Sequence, residues 1–302
     1  MSVDTTAMPV TLSVDWTAEY RGLTIGSSDS PFTFTEIAGL LDAPAIRAND
    51  RTSLRRHGEQ SGDDWFGARA ITLTIEINAG DPAEFGAAMA AVADAFIPGR
   101  IAPFSFKFPG VAGGGPRVVW GKVRKRSVPV TWEYAHGYAT VAVELYCPDP
   151  FVYATTTGTG RATLPTSSAT PGAGIRFPLR FPARFGQSEV AEVIRVTNDG
   201  NTPVPMRFTL RGPIVNPRIV DLATGAQLAI AYTLLSGQWL DINTANGDVL
   251  MDGVAPRFLT PGRANTWLTA PPGVSEFGLR GTRLPGAAPE PELIAQWRAA
   301  WV

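Results

Sequence analysis

The sequence predicts a mainly β protein of two domains, the first a β-sandwich or barrel-like domain with one α-helix, the second an antiparallel β-sandwich. Three features carry that expectation. Short runs of Val, Ile, Leu, Phe and Thr alternate with polar residues along most of the chain, the period of a strand with one wet face. The 31 glycines and 26 prolines lie between these runs instead of massing in one tract, which marks tight turns and not disorder. Only one stretch, after Asp81, reads convincingly at helical period. At 302 residues the chain can form two ordinary domains, each with its own core.

In chain order, Leu12 to Trp16 and Leu23 to Phe34 read as opening strands, the second broken by the turn Gly26 to Pro31. A loop holding Leu40, Leu41 and Pro44 leads to a basic stretch with Arg47, Arg51, Arg55, Arg56 and His57. From Arg69 to Ile77 the alternation is strict: Ile71, Leu73, Ile75 and Ile77 point one way, Thr72, Thr74 and Glu76 the other. Asp81 is a good N-cap and Pro82 suits the first helical position, so a helix is expected over about 82–97. Its apolar stripe is Phe85, Met89, Val92 and Phe96, and Pro98-Gly99 stops it. Strands are expected over Pro103 to Phe108, Arg117 to Val123, Ser127 to Tyr134 and Tyr138 to Tyr146, ended by Cys147-Pro148-Asp149-Pro150.

Residues 155–174 are almost all Thr, Ser, Gly, Pro and Ala, so the domains are expected at 1–154 and 175–302 with a linker between. Beyond it, short strands follow one another: Glu189 to Thr197, Pro205 to Arg211, Arg218 to Asp221, Ala226 to Leu234, Gln238 to Asn243, Gly247 to Met251 and Glu276 to Gly281. The end, Leu293 to Val302, fits either a strand or a helix, because Leu293, Trp297 and Trp301 are four apart while apolar residues also alternate.

Composition narrows the function. With 26 basic and 27 acidic side chains the net charge is -1, so no global field favours nucleic acid, and no sequence-specific nucleic-acid contact is expected. A single cysteine, Cys147, excludes an intrachain disulfide. Met1 to Asp15 lacks the basic residues of a secretory signal, and no apolar run approaches the length of a membrane span, so synthesis in a reducing cytoplasm is expected. Catalytic chemistry is poorly supplied. There is no Gly-x-Ser-x-Gly elbow, and the two histidines, His57 and His136, sit in turn-like sequence. Cys147 has no basic sequence neighbour to lower its pKa, and neither a metal nor a cofactor is expected. Asp63-Asp64 reads as a solvated loop, Asp241 to Asp252 departs from a calcium loop, and Gly113-Gly114-Gly115 lacks the lysine of a phosphate loop.

The basic segments are the unusual local feature. Arg47, Arg51, Arg55 and Arg56 in one, and Lys122, Arg124, Lys125 and Arg126 in the other, read as charged faces or as a contact surface for an acidic partner. In the second segment Lys122, Arg124 and Arg126 alternate onto one side of a strand.

Several phrases, taken in order, resemble the distal tail (Dit) proteins of siphophages. In the first half they are Leu41-Asp42-x-Pro44, His57-Gly58-Glu59, Gly67-x-Arg69, the single helix, and Asp149-Pro150-Phe151-x-Tyr153. In the second they are Phe177-Pro178 with Phe181, the run Val196 to Val204, Arg211-Gly212-Pro213, Asn216-Pro217, Thr224-Gly225, Asp241 to Thr244, Pro261-Gly262 and Trp297 to Trp301. The resemblance implies a non-enzymatic structural protein of the virion, at the tail tip. It implies a first domain that assembles into a ring, expected to hold six copies, and a galectin-like second domain. Implied partners are the tail tube protein, a tail-associated hub or lysin protein, and receptor-binding proteins. A glycan-binding lectin is the competing reading, with Trp239 and Trp267 as candidate stacking residues, and a β-sandwich glycoside hydrolase is a third.

Overall fold

The computed structural model describes residues 8–52, 55, 57–164, 193–256, 266–284 and 289–302. The chain divides into two compact units, Met1–Thr156 with Ala300–Val302, and Thr157–Ala299. Both are built from antiparallel strands, and among the described residues Pro82–Ala95 is the one α-helix. No helix among them is long and apolar enough to cross a membrane.

In the first unit the strands lie in the order Leu23–Ile25, Thr17–Tyr20, Ala102–Lys107, Arg117–Ser127, Tyr138–Cys147, Arg69–Asn78, Phe32–Ala38. The outermost two are joined by a six-residue turn and come together where Gly26 N–H donates to the Phe32 carbonyl at 2.9 Å, so the sheet must curl into a barrel-like wall. Its inner face is the predicted alternation: Ile71, Leu73, Ile75 and Ile77 are fully buried, as are Val141, Val143 and Leu145 opposite them. The helix closes this core with Phe85, Ala88, Val92 and Ala95, and Asp81 caps it by accepting from Ala83 N–H at 3.0 Å. It stops at Ala95, two residues short of the expected end, and Phe96 is buried as its C-cap residue. The last three residues join this unit, where Ala300–Trp301 pairs with Val152–Ala154.

Two sequence expectations fail here for backbone reasons. Residues 12–16 form no strand, and Trp16 sits at φ 63°, which no extended ladder accommodates. No strand runs from Ser127 to Tyr134: the long strand Arg117–Ser127 ends there, and a 3-10 turn, Trp132–His136, follows. Pro129 lies between them and has no N–H to extend the ladder.

The second unit is a sandwich. One sheet runs Gly158–Thr163, Glu292–Trp297, Arg207–Arg211, Trp239–Asn243, Asp248–Met251, Ala255–Pro256. The other runs Val193–Asn198, Gly273–Arg283, Ile214–Asp221, Gln227–Ala229, with Thr233–Leu234 also on Ile214–Asp221. Phe208 of the first sheet meets Phe277 of the second edge-on at 6.2 Å, both fully buried, so the two inner faces share one core. The tail ambiguity resolves to strands, Glu292–Trp297 and Ala300–Trp301.

Gly158–Thr163, which composition assigned to the linker, is a strand. Its small residues are there because larger neighbours cover it. A Cβ on Gly160 would stand 2.5 Å from Ile194 Cγ2, and one on Gly158 would stand 2.4 Å from the Trp297 ring. Residues 165–174 of the expected linker lie outside the described residues.

Candidate functional site

The feature of the first unit that most needs a partner is a pair of bare sheet edges. Arg117–Ser127 is paired differently along its two halves. Residues 117–121 are flanked by Ala102–Lys107, and residues 117–118 are flanked on the other side by Val152–Ala154. Residues 122–127 pair with Tyr138–Cys147 on that second side, and among the described residues no strand pairs their other side. At the far edge Phe32–Ala38 pairs, among the described strands, with Arg69–Asn78 alone, and beyond the Gly26–Phe32 hydrogen bond its outer side carries no ladder. Residues 122–127, Tyr138–Cys147, Arg69–Asn78 and Phe32–Ala38 therefore make a four-stranded antiparallel sheet with unpaired backbone donors and acceptors at both ends. Such edges invite another chain unless blocked.

The outer face of this sheet is polar. In register, Lys125, Glu144, Thr72 and Ala38 form one row, and Ser127, Ala142, Thr74 and Glu36 the next. A β-bulge between Val123 and Lys125 decides where the basic residues go. Lys122 and Arg124 project toward Tyr146, whose ring lies 5.9 Å from the Lys122 ammonium and 3.5 Å from the Arg124 guanidinium carbon. The extra residue then swaps the faces. Lys125 falls opposite Glu144 on the polar face, while Arg126 falls opposite Val143 and donates to the Ala93 carbonyl near the helix end at 2.6 Å. The expected Lys122, Arg124, Arg126 stripe is thus Lys122, Arg124 and Lys125, with Arg126 on the other side.

The other basic segment forms an arm. Ile46–Arg47 pairs with Trp65–Phe66 and Arg51–Thr52 with Glu59–Gln60, and every described residue from Ala45 to Phe66 is exposed. Arg47 Nη2 reaches the Phe66 carbonyl at 3.5 Å, and Arg55 lies near the tip. Arg56 lies outside the described residues. The arm also exposes Ile46, Trp65 and Phe66, although the Phe66 ring meets Phe151 edge-on at 6.0 Å at the arm's root.

The arm's root is clasped by a buried arginine that composition did not single out. Arg69 is 3% exposed. Its Nε donates to the Pro150 carbonyl at 2.8 Å, and Nη1 lies 3.0, 2.9 and 2.7 Å from the carbonyls of Gly39, Leu40 and Asp42. Burial pushes its pKa below the usual arginine value, yet the four carbonyls keep the charge solvated. Gly39, at φ 82°, lets the loop lie this close, because a Cβ there would meet the Ala70 carbonyl oxygen at 2.0 Å. Asp149 completes the corner, accepting from Phe151 N–H at 3.1 Å and the Tyr153 hydroxyl at 2.8 Å, with its carboxyl pKa raised by burial. Three phrases that looked separate in sequence, around Asp42, Arg69 and Asp149, are one joint.

No three His, Cys, Asp or Glu side chains among the described residues converge as metal ligands. Cys147 is buried, and burial pushes its thiol up to about 12. His136 is exposed beside Trp132 in the 3-10 turn, and His57 is exposed at the arm's tip. Trp239 packs near Gly253 and Trp267 near Gly247, at opposite ends of the hairpin Trp239–Asn243/Asp248–Met251. Four residues of strand separate those ends by about 13 Å, so the two rings do not form one sugar-stacking platform.

No family model matches this chain, and no curated protein matches it. Among solved structures it is similar to the crystal structure of phage SPP1 Dit, described as a paradigm of the hub adsorption apparatus in phages that infect Gram-positive hosts. That match has a TM-score of 0.61 at 14% identity and covers 95% of this chain and 99% of that one. It is also similar to a chain of the phage P2 baseplate in its activated conformation with calcium, with a TM-score of 0.52 at 11% identity over 94% of this chain and 97% of that one. At such identities the likeness is one of fold, and it extends across both units. The chain therefore shares the fold of a phage Dit protein over 95% of its length.

Proposed function

We propose that this protein is a non-enzymatic structural component of a phage tail tip, in which copies of the first unit join edge to edge into a closed ring. The observation that carries this reading is the four-stranded sheet with two bare edges, on a chain that shares its fold with a hub adsorption protein. The two edges differ, so their contact is head-to-tail, and a head-to-tail contact that closes makes a ring. Rotation about a ring axis preserves strand direction. With four alternating strands per copy, the last strand of one copy and the first of the next run antiparallel, the pairing the sheet already uses. Charge agrees: Lys122, Arg124 and Lys125 mark one edge and Glu36 the other.

Six copies would contribute a 24-strand wall, and at about 4.8 Å per strand its circumference is about 115 Å and its diameter about 37 Å. Such an opening passes a DNA duplex, and the polar face carrying Thr72, Thr74 and Glu76 suits a water-filled bore. The exposed arm, with its arginines and Ile46, Trp65 and Phe66, suits contact with a neighbouring copy. The ring would join the tail tube protein on one side to the hub or lysin protein and receptor-binding proteins on the other. The second unit is galectin-like in this reading. Light scattering on the purified protein tests the proposal: a mass of several copies, falling as salt rises, is expected. A single-copy mass that persists with tail tube protein added would overturn it.

A further inference from the structure

The Phe32–Ala38 edge borders an apolar cavity of about 460 Å³ lined by Trp16, Phe34, Ile37, Leu41, Phe108 and Val111, among others. That is ample for one large aromatic side chain, since clefts of about 300–1,000 Å³ hold small molecules. Trp16 and Leu41 are 64% and 75% exposed, so the cavity is open. The same unit carries an apolar knob elsewhere: Val130 is 79% and Trp132 75% exposed, in the connection that directly follows the basic edge at Ser127. A cavity and a knob at different places on one unit make a head-to-tail pair.

Register and facing bring them together once the ring reading, on which this inference rests, is granted. Phe34 and Ile37 lie opposite Ile75 and Leu73, so the cavity opens on the core side of the sheet. The segment that carries the knob packs on that side, where Tyr134 meets Phe85 of the helix edge-on at 4.8 Å. Within one copy, Ser127 and Glu36 stand in the same row. With that row continued across an antiparallel junction, extended backbone brings Val130 level with Phe32 and carries Trp132 past that end of the neighbour's edge, toward its turn Gly26 to Pro31. That end of the cavity is lined by Trp16, Gly26 and Thr33.

We propose that Trp132 of each copy seats in the cavity of the next, beside the edge that its own basic strand completes, and is the anchor of the ring contact. Buried tryptophans in interface pockets carry a large share of binding energy. The test is a photo-reactive benzoylphenylalanine in place of Trp132, irradiated in the full-length protein, with the cross-linked peptides identified by mass spectrometry. Links to residues 33–41 or 108–111 of another copy are expected. Trp132→Ala is expected to raise the concentration needed for assembly at least tenfold, while Trp132→Phe restores most of it. Rings in which the probe links elsewhere, or rings of unchanged concentration dependence in Trp132→Ala, overturn the anchor and leave the ring reading standing. A probe at Leu41 that links to the N-terminal segment or to a tail tube protein assigns the cavity another occupant and overturns it as well. Protein that never assembles, with no cross-link, removes the ring reading and this inference together.

Discussion

Arg69 does in one residue what a disulfide or a metal does in other small joints: it fixes where the arm leaves the barrel. Its partners are four backbone carbonyls drawn from positions 27 to 81 residues away. That is why the joint was invisible in sequence, where a lone arginine before an alternating strand has no carboxylate to announce it. Arg69→Met should leave those carbonyls without donors and destabilise the first unit by about 3 kcal/mol or more. Arg69→Lys should recover only part of this, because an ammonium lacks the planar fork. Denaturant unfolding followed by tryptophan fluorescence measures both. Cys147 offers a cheaper check on the same core. Fully buried, with its thiol pushed up to about 12, it should resist alkylation at pH 8 in the native protein and react in denaturant. Rapid native labelling would contradict the packing described.

Elements were legible where one chemical pattern controlled one element. The strand Arg69–Asn78 was read from strict alternation, and the helix from Asp81, Pro82 and its stripe. They failed where a neighbour or a single extra residue controlled the outcome. The bulge before Lys125 reverses every later side chain, a shift that alternation alone does not reveal. Gly158–Thr163 looked like a linker because its bulk is supplied by Ile194 and Trp297. Gly160→Val should therefore cost about 1–3 kcal/mol through overpacking in the second unit, read from that unit's unfolding transition, whereas a true linker would tolerate it. The bare edges give a paired prediction. Arg124→Glu with Lys125→Glu should weaken assembly about tenfold or more, and Glu36→Lys added to them should recover part of it. Sedimentation at low ionic strength reads both, and equal loss in the triple variant would argue against this edge pairing.

At the scale of the whole molecule, the described residues of the first unit leave bare sheet edges, an exposed arm and an open cavity. Phrases such as Asp149-Pro150 and Thr224-Gly225 proved to be corners and turns: Asp221 accepts from the Thr224 hydroxyl at 2.6 Å and from Ala223 N–H at 2.9 Å. They therefore signalled a fold, which is why the fold could be recognised from them. The basic segments were visible in sequence as charge, but their geometry depended on pairing partners far along the chain. The measurement that bears most directly on this account is an electron-microscope image of the purified protein, alone and with tail tube protein. Closed rings with a central opening of the width expected for four strands per copy are predicted. Uniform single particles without an opening, under both conditions, would contradict it.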